Sequence, residues 1–231
     1  MSKAQIFASP DEAVSVVKPG DTVLVGGFGL AGMPFDLIDA LIRHGAGDLT
    51  IVSNNAGNGD VGLAALLRAG RVRKVLCSFP RQVDSHVFDD LYRRGEIELE
   101  VVPQGNLAER MRAAGAGIGA FYCPTGVGTP LAEGKETRMI DGRNYVLEYP
   151  IKGDVALISA HIADTMGNLV YRKTARNFGP VMATAAAATV VQVSSIVAAG
   201  RIDPEVVVTP GIYVDRVVQV EPRHYTVHGA R

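Results

Sequence analysis

Between residues 22 and 117, four short apolar runs alternate with four helix-like segments, and this rhythm limits the fold more than any single motif. The runs are "DTVLVGG", "LTIVSNN", "VRKVLCSF" and "IELEVV"; the segments are "PFDLIDALIRHG", "VGLAALLRAG", "QVDSHVFDDLYRRG" and "NLAERMRAAGAG". Strands joined through helices of about ten residues run parallel, because only a crossover of that length returns the chain to the same sheet edge. The expected fold is therefore α/β, an open, mostly parallel, doubly wound sheet. "IELEVV" alternates apolar and charged residues, which suits a strand near the sheet edge. Upstream, Ser9-Pro10-Asp11-Glu12 combines an N-cap, a proline at the first helical position and a carboxylate reaching back, so a short helix starts there.

Past residue 117 the rhythm changes. "CPTGVGTPLAEGKE" is rich in Gly, Pro and Thr, and "MIDGRNYVLEYPI" places an Asp141-Gly142 turn between strand-like runs. "DVALISAHIAD", a turn at Met166-Gly167-Asn168 and "LVYR" suggest a second antiparallel pair. "VMATAAAA" reads as a short helix, and "TVVQVSSIV" and "IYVDRVVQV" as late strands. With no linker, charge run or internal repeat, residues 1–231 are read as one domain carrying an antiparallel insertion over roughly 120–175.

At 47% hydrophobic and 20% charged residues the chain can bury a full core, and a formal charge of -1 gives no general attraction for nucleic acid or an anionic membrane. No apolar run is long enough to cross a bilayer and the N-terminal stretch has no signal-like apolar region, so a cytoplasmic location is expected. Cys77 and Cys123 are the only two cysteines; they lack metal-ligand spacing and are read as small apolar residues, and the five histidines are scattered, so no metal site is expected.

"VLVGGFGLAGMP" (residues 23–34) contains a G-x-G-x-x-G in Gly27, Gly29 and Gly32. A dinucleotide site also needs an acid at the end of the second strand to hold the ribose hydroxyls. Here that strand ends in Ser53-Asn54-Asn55, with Asp48 before it and Asp60 beyond the next loop, which argues against NAD or FAD. Two readings of the loop stay open: backbone N–H groups approaching an anion or carbonyl oxygen at a sheet edge, or a tight turn with no ligand.

Gly20, Val23-Leu24-Val25, "GGF", Gly32 and Pro34 together resemble the N-terminal signature of family I CoA-transferases, in their alpha (A-type) subunit. Pro19 stands where the signature has Asp or Asn, a departure within a turn. "SNNAG" (53–57), "PQGNLAERMRAAGAG" (103–117), "PTGVGT" (124–129), "AEGKE" (132–136), "RKTARNFGP" (172–180) and "TPGIYV" (209–214) extend the resemblance, in the same order, from about residue 20 to 218. The resemblance implies the sheet type shared with sugar-phosphate isomerases and an enzyme that exchanges CoA between two carboxylic acids. In that family a glutamate attacks the acyl-CoA thioester to give a mixed anhydride, and CoA thiolate then attacks the glutamate. The acceptor acid collects CoA by the reverse steps, with no metal or redox cofactor. The glutamate lies in the beta (B-type) subunit, next to Asn-Gly or His-Gly. No glutamate here is followed by either pair, and Glu133-Gly134-Lys135 is a poor substitute. The chain is thus expected to be half of an enzyme, partnered by a CoA-transferase beta chain in an A2B2 heterotetramer.

The same resemblance implies that the Gln104 carboxamide donates to the developing oxyanion; otherwise Gln104 is a solvated helix-start amide. Asn54 and Asn55, ending a parallel strand, are expected to meet substrate or to cap the next turn. Gly27, Phe28 and Gly29 are expected to line the acyl channel, and Gly26, Gly27, Gly29 and Gly32 to meet CoA. Arg172, Lys173 and Arg176 form the one local basic cluster, facing a substrate carboxylate, a CoA phosphate, solvent or an interchain contact; Glu109 and Glu133 are read as surface or ion-pairing groups. Residues 58–100 resemble one group of 3-oxoadipate transferases more than succinyl-CoA:3-oxoacid transferases. Many of the latter have Ser-Tyr-Val-Gly-Glu-Asn where this chain has "SFPRQV" (78–83). Arg81 is accordingly expected to meet the distal carboxylate of 3-oxoadipate, an intermediate of aromatic-compound catabolism by the beta-ketoadipate pathway. Acetoacetate is the alternative acceptor. A reading of another class is a non-catalytic module binding a sugar phosphate or nucleotide, since fold does not fix function.

Overall fold

The computed structural model describes residues 4–82, 84–222, 225–226 and 229–230; Val83 of the "SFPRQV" stretch, His224 and His228 lie outside them. The chain runs β1 (Gln5–Phe7), α1 (Pro10–Ala13), β2 (Thr22–Val25), α2 (Phe35–His44), β3 (Leu49–Val52), α3 (Leu63–Arg68), β4 (Val72–Cys77), α4 (His86–Arg93), β5 (Glu98–Val101) and α5 (Gln104–Gly115). It continues through β6 (Phe121–Cys123), β7 (Thr137–Ile140), β8 (Arg143–Glu148), β9 (Gly153–Asp164), β10 (Leu169–Val170), α6 (Gly179–Ala185), β11 (Ala186–Val197), β12 (Arg216–Gln219), β13 (Tyr225–Thr226) and β14 (Gly229–Ala230).

The main sheet has the order β1-β12-β11-β9-β2-β3-β4-β5, parallel throughout, with β10 added antiparallel to β9. Burial follows from this order. Along β2, Val23 and Val25 enter the core shared with α1 to α4, whereas Leu24 enters the one shared with α5 and α6. Such strands are apolar on both faces, whereas the outer strands β1 and β5 have no fully buried residue. Local signals agree. Ser9 Oγ accepts the Glu12 N–H at the start of α1, and Gly45, left-handed at φ 85°, closes α2 through its N–H to Leu41 O.

The antiparallel insertion is shorter than the sequence suggested. Its sheet is β6-β8-β7, spanning residues 121–148, with Asp141 and Gly142 both at positive φ in the β7–β8 turn. The run from Gly153 lies instead between β2 and β11 as a parallel strand of the main sheet. The hairpin expected at Met166-Gly167-Asn168 forms, with Asp164 accepting the Met166 and Asn168 N–H groups, but pairs only Leu169 and Val170 with Ala163 and Ile162. In "IYVDRVVQV" only Arg216–Gln219 is strand, Gly211–Tyr213 being a 3-10 turn. Buried Glu148 ties the insertion to α5, accepting from Asn106 Nδ2 at 3.1 Å and Lys135 Nζ at 2.8 Å.

From β2 the chain winds outward through β3, β4 and β5; from β9 it winds the other way through β11 and β12. The winding direction therefore reverses between β2 and β9. In open α/β sheets the crevice at such a point, at the carboxyl ends of the strands, is where ligands bind.

Candidate functional site

Four neighbouring strand ends deliver the candidate residues to that edge: Gly26 follows β2, Asn54 and Asn55 follow β3, Ser78 follows β4 and Gln104 follows β5. Gly27, Gly29 and Gly32 have φ of 127°, 61° and 72°, so the glycine spacing records three left-handed positions in a long loop. Phe28 and Ala31 exchange two backbone hydrogen bonds within it, and α2 begins only at Phe35. This is not the tight strand-to-helix turn of a dinucleotide site. The first turn of α2 is also spoken for: Leu37 N–H donates to Gln192 Oε1, and the acidic Asp36 beside it accepts from Gln192 Nε2. A pyrophosphate at that helix end would meet a carboxylate and an amide already capped.

The loop is held from the far side by Asn177. Its Oδ1 accepts the Gly27 N–H at 3.1 Å and the Phe178 N–H at 2.7 Å, while its Nδ2 donates to Ala31 O and Thr174 O. Gly26 N–H goes to Leu157 O and Phe28 N–H to Ala31 O. Among the described residues the N–H groups of Gly29, Leu30 and Gly32 are left without a protein acceptor. Phe28 is 52% exposed at the mouth of the loop, and Phe79, just beyond β4, is 57% exposed.

Of the three loop glycines, Gly32 tolerates a side chain least. A Cβ there would overlap the backbone oxygen of Ala175, whereas one at Gly20, φ +85°, would meet open space. Gly20→Ala should cost only the left-handed strain of roughly 1–2 kcal/mol. Gly32→Ala should cost that and also push the 174–178 segment off the loop, lowering the unfolding midpoint by more than the roughly 2–8 °C that such strain produces in a chain of this size. Equal midpoints for the two variants would show that the Ala175 contact does not shape the loop.

Behind the loop, the carboxamides form a network. Asn54, 2% exposed, accepts at Oδ1 from Gln104 Nε2 at 2.7 Å and from Ser78 Oγ at 2.8 Å, so its oxygen is engaged within the protein. Asn55, 1% exposed, caps its own turn by accepting the Gly57 N–H, and its Nδ2 is buried without a hydrogen-bond partner among the described residues. Gln104 is exposed at the first turn of α5. The edge thus offers neutral donors.

Arg81 lies two residues beyond Phe79, exposed, with Nε on Asp89 Oδ1 at 2.8 Å. Arg172, Lys173 and Arg176 are exposed and make no ion pair among the described residues; Arg172 and Lys173, with His161, line a cavity of about 560 Å³ between the loop and the overhanging ends of β9 and β11. Glu109 pairs with Arg112, and Glu133 is exposed. Burial pushes the Cys77 thiol up to about 12, so it is no nucleophile at neutral pH; Cys123 donates to Asn106 Oδ1 at 3.3 Å. Ser78, Asn177 and Gln192 were not singled out by sequence reasoning. "RKTARNFGP" and "SFPRQV" contain the first two, but their partners lie on distant segments and no local spacing reports them.

No described helix is long and apolar enough to cross a membrane. Residues 7–220 match the sequence family described as coenzyme A transferase. The chain is 66% identical to the A-type subunit of the 3-oxoadipate CoA-transferase of Pseudomonas putida, over 93% of each chain. It is 50% identical to the A-type subunit of a probable succinyl-CoA:3-ketoacid coenzyme A transferase of Bacillus subtilis, over 93% of this chain and 89% of that one. Among solved structures, an acyl-CoA transferase of Escherichia coli O157:H7 superimposes on 99% of this chain with a TM-score of 0.86 at 24% identity, this chain spanning 50% of that longer one. With the family match covering nearly the whole sequence and the same sheet recurring at low identity, the chain belongs to the coenzyme A transferase family.

Proposed function

We propose that this chain is the alpha subunit of a two-subunit enzyme that moves CoA from succinyl-CoA to 3-oxoadipate, with the beta subunit supplying the glutamate that carries CoA between the acids. The carrying observation is the set of four adjacent strand ends that presents exposed Gln104, the open N–H groups of Gly29 and Leu30 and exposed Phe28 but, among the described residues there, no glutamate free of an ion pair. Donors without a nucleophile suit a chain that stabilises an oxyanion while the attacking carboxylate comes from another chain. Gly27, Phe28 and Gly29 form the acyl wall, with Asn54 and Asn55 behind it, and the loop of Gly26, Gly27, Gly29 and Gly32 receives the thioester end of CoA. The chemistry uses no metal or redox cofactor, CoA being substrate. We place the enzyme in the cytoplasm, in aromatic-compound catabolism by the beta-ketoadipate pathway, as an A2B2 heterotetramer.

The choice of 3-oxoadipate over acetoacetate rests on relatedness and on one cation. Two 3-oxoadipate transferase chains are 66% and 64% identical to this chain, against 48–53% for the bacterial succinyl-CoA:3-ketoacid transferase chains. Arg81 keeps its terminal guanidinium nitrogens beyond the Nε bond to Asp89, which suits a second carboxylate at the rim. The complex of both subunits should turn over 3-oxoadipate with a higher kcat/KM than acetoacetate. Arg81→Met should lower kcat/KM for 3-oxoadipate about tenfold or more, the loss of one charge-assisted hydrogen bond, and leave acetoacetate within about twofold. A preference for acetoacetate would replace the acceptor; equal losses on both would remove Arg81 from the specificity argument.

A further inference from the structure

Asn54 sits two residues past β3, on the side of the sheet that Val52 shares with α5. Its place is fixed twice over, because its backbone oxygen accepts the Ser78 and Phe79 N–H groups at 3.2 and 3.1 Å, clamping the ends of β3 and β4 together. Its side-chain oxygen then receives one N–H of Gln104 and the Ser78 hydroxyl at 2.8 Å, closer than the 3.1 Å from that hydroxyl to the backbone oxygen, which already accepts two N–H groups. A carboxamide oxygen has two lone pairs, and these two donors use both. The Asn54 oxygen is therefore committed to the protein and has nothing left to accept from a ligand.

The consequence falls on Gln104. A glutamine at an exposed helix start can rotate about three side-chain torsions and can present either end of its amide. Here a flipped amide would set Gln104 Oε1 against Asn54 Oδ1, two acceptors at hydrogen-bond distance with no proton between them. With Asn54 Oδ1 as the acceptor, the unflipped amide spends one Nε2 proton on it and presents the second away from Asn54 on the exposed side. Donation from the Ser78 hydroxyl favours Asn54 Oδ1 at this position, and through it this orientation of Gln104.

We infer that Ser78 and Asn54 are positioning residues that lock the Gln104 carboxamide with its second N–H presented to the reacting carbonyl. The inference rests on the oxyanion role proposed for Gln104, and it adds that the donor is preorganised rather than recruited by the substrate. Preorganisation is what makes a neutral donor effective, since its orientation need not be gained as charge develops.

The test is a double-mutant cycle in the assembled two-subunit complex, comparing Ser78→Ala, Gln104→Ala and the pair, with Ser78→Thr as the conservative variant. Ser78→Ala should lower kcat about five- to tenfold, the scale of one lost hydrogen bond, with KM for succinyl-CoA within about twofold. Ser78→Thr keeps the hydroxyl and should recover most of the loss. In the Gln104→Ala background, Ser78→Ala should change kcat by less than about twofold, because the group it orients is gone. The same factor in both backgrounds, or a threonine no better than alanine, would overturn the positioning role while leaving the oxyanion reading in place. A Gln104→Ala complex that turns over within a few-fold of the parent would instead remove the oxyanion reading, and the inference with it.

Discussion

Assayed alone with succinyl-CoA and a 3-oxo acid, the purified chain should show no transfer above background, and addition of the beta chain should restore it. The reason is local chemistry. The glutamates that flank Gln104 on β5 and α5 are already engaged: Glu98 with Arg73, Glu100 with Lys74 and Arg110, and Glu109 with Arg112. Burial works against the charge on Glu100, but the Lys74 hydrogen bond and the Lys74 and Arg110 charges outweigh it and hold the carboxyl below its ordinary value. A carboxylate so stabilised is a weak nucleophile and is not free to reach a thioester. Loss of the nucleophile from a covalent enzyme costs on the order of 10⁶ in kcat, as in a serine protease, which puts the lone chain below detection. Holding this chain at a fixed concentration and titrating in the beta chain should give activity that saturates. Turnover of the lone chain well above background would end the half-enzyme reading.

The parallel half of the fold was legible because its signals are local. Residues 22–101 alternate strand and crossover, and even the edge position of "IELEVV" shows in its charged alternate residues, Glu98 being exposed and Glu100 half-buried on β5. The central strand β9 was misread as part of the insertion because "DVALISAHIAD" precedes a turn and a short apolar run, and the turn is real. Its main neighbours, β2 and β11, are set by long-range pairing that no window of sequence contains. The site divides in the same way. Which residues lie at strand ends could be read from the punctuation of "SNN" and "PQG". Which atoms they touch could not: Asn177 reaches Gly27 across 150 residues, and Gln104 reaches Asn54 across 50. The same geometry gives the last glycine of the fingerprint a role that its spacing does not report, since Gly32 is small to clear Ala175 O rather than to seat a helix on a strand.

Gln104→Ala, in the assembled complex, should lose about 10²–10³ in kcat, roughly 2.7–4 kcal/mol, the scale found when one oxyanion donor is removed from other enzymes. In the proposed reaction, attack by the glutamate of the beta chain on the thioester gathers negative charge on the former carbonyl oxygen, and the N–H of Gln104 left over from its bond to Asn54 would meet it without a proton transfer. The donor matters most once that charge exists, so KM for succinyl-CoA should change little while kcat falls. Gln104→Glu should be at least as damaging, for two reasons that act together. A carboxylate would face the developing negative charge, and it would also set an acceptor against Asn54 Oδ1, which already accepts from Ser78. The helix should survive either change, because Gln104 is exposed at its first turn and Leu107 N–H still closes on Pro103 O. Steady-state kinetics on complexes whose assembly is checked by size-exclusion chromatography is the measurement. An alanine variant that assembles and turns over within a few-fold of the parent would reduce Gln104 to a helix-start amide and return the oxyanion to the glycine loop, where the Gly29 and Leu30 N–H groups would have to hold it alone.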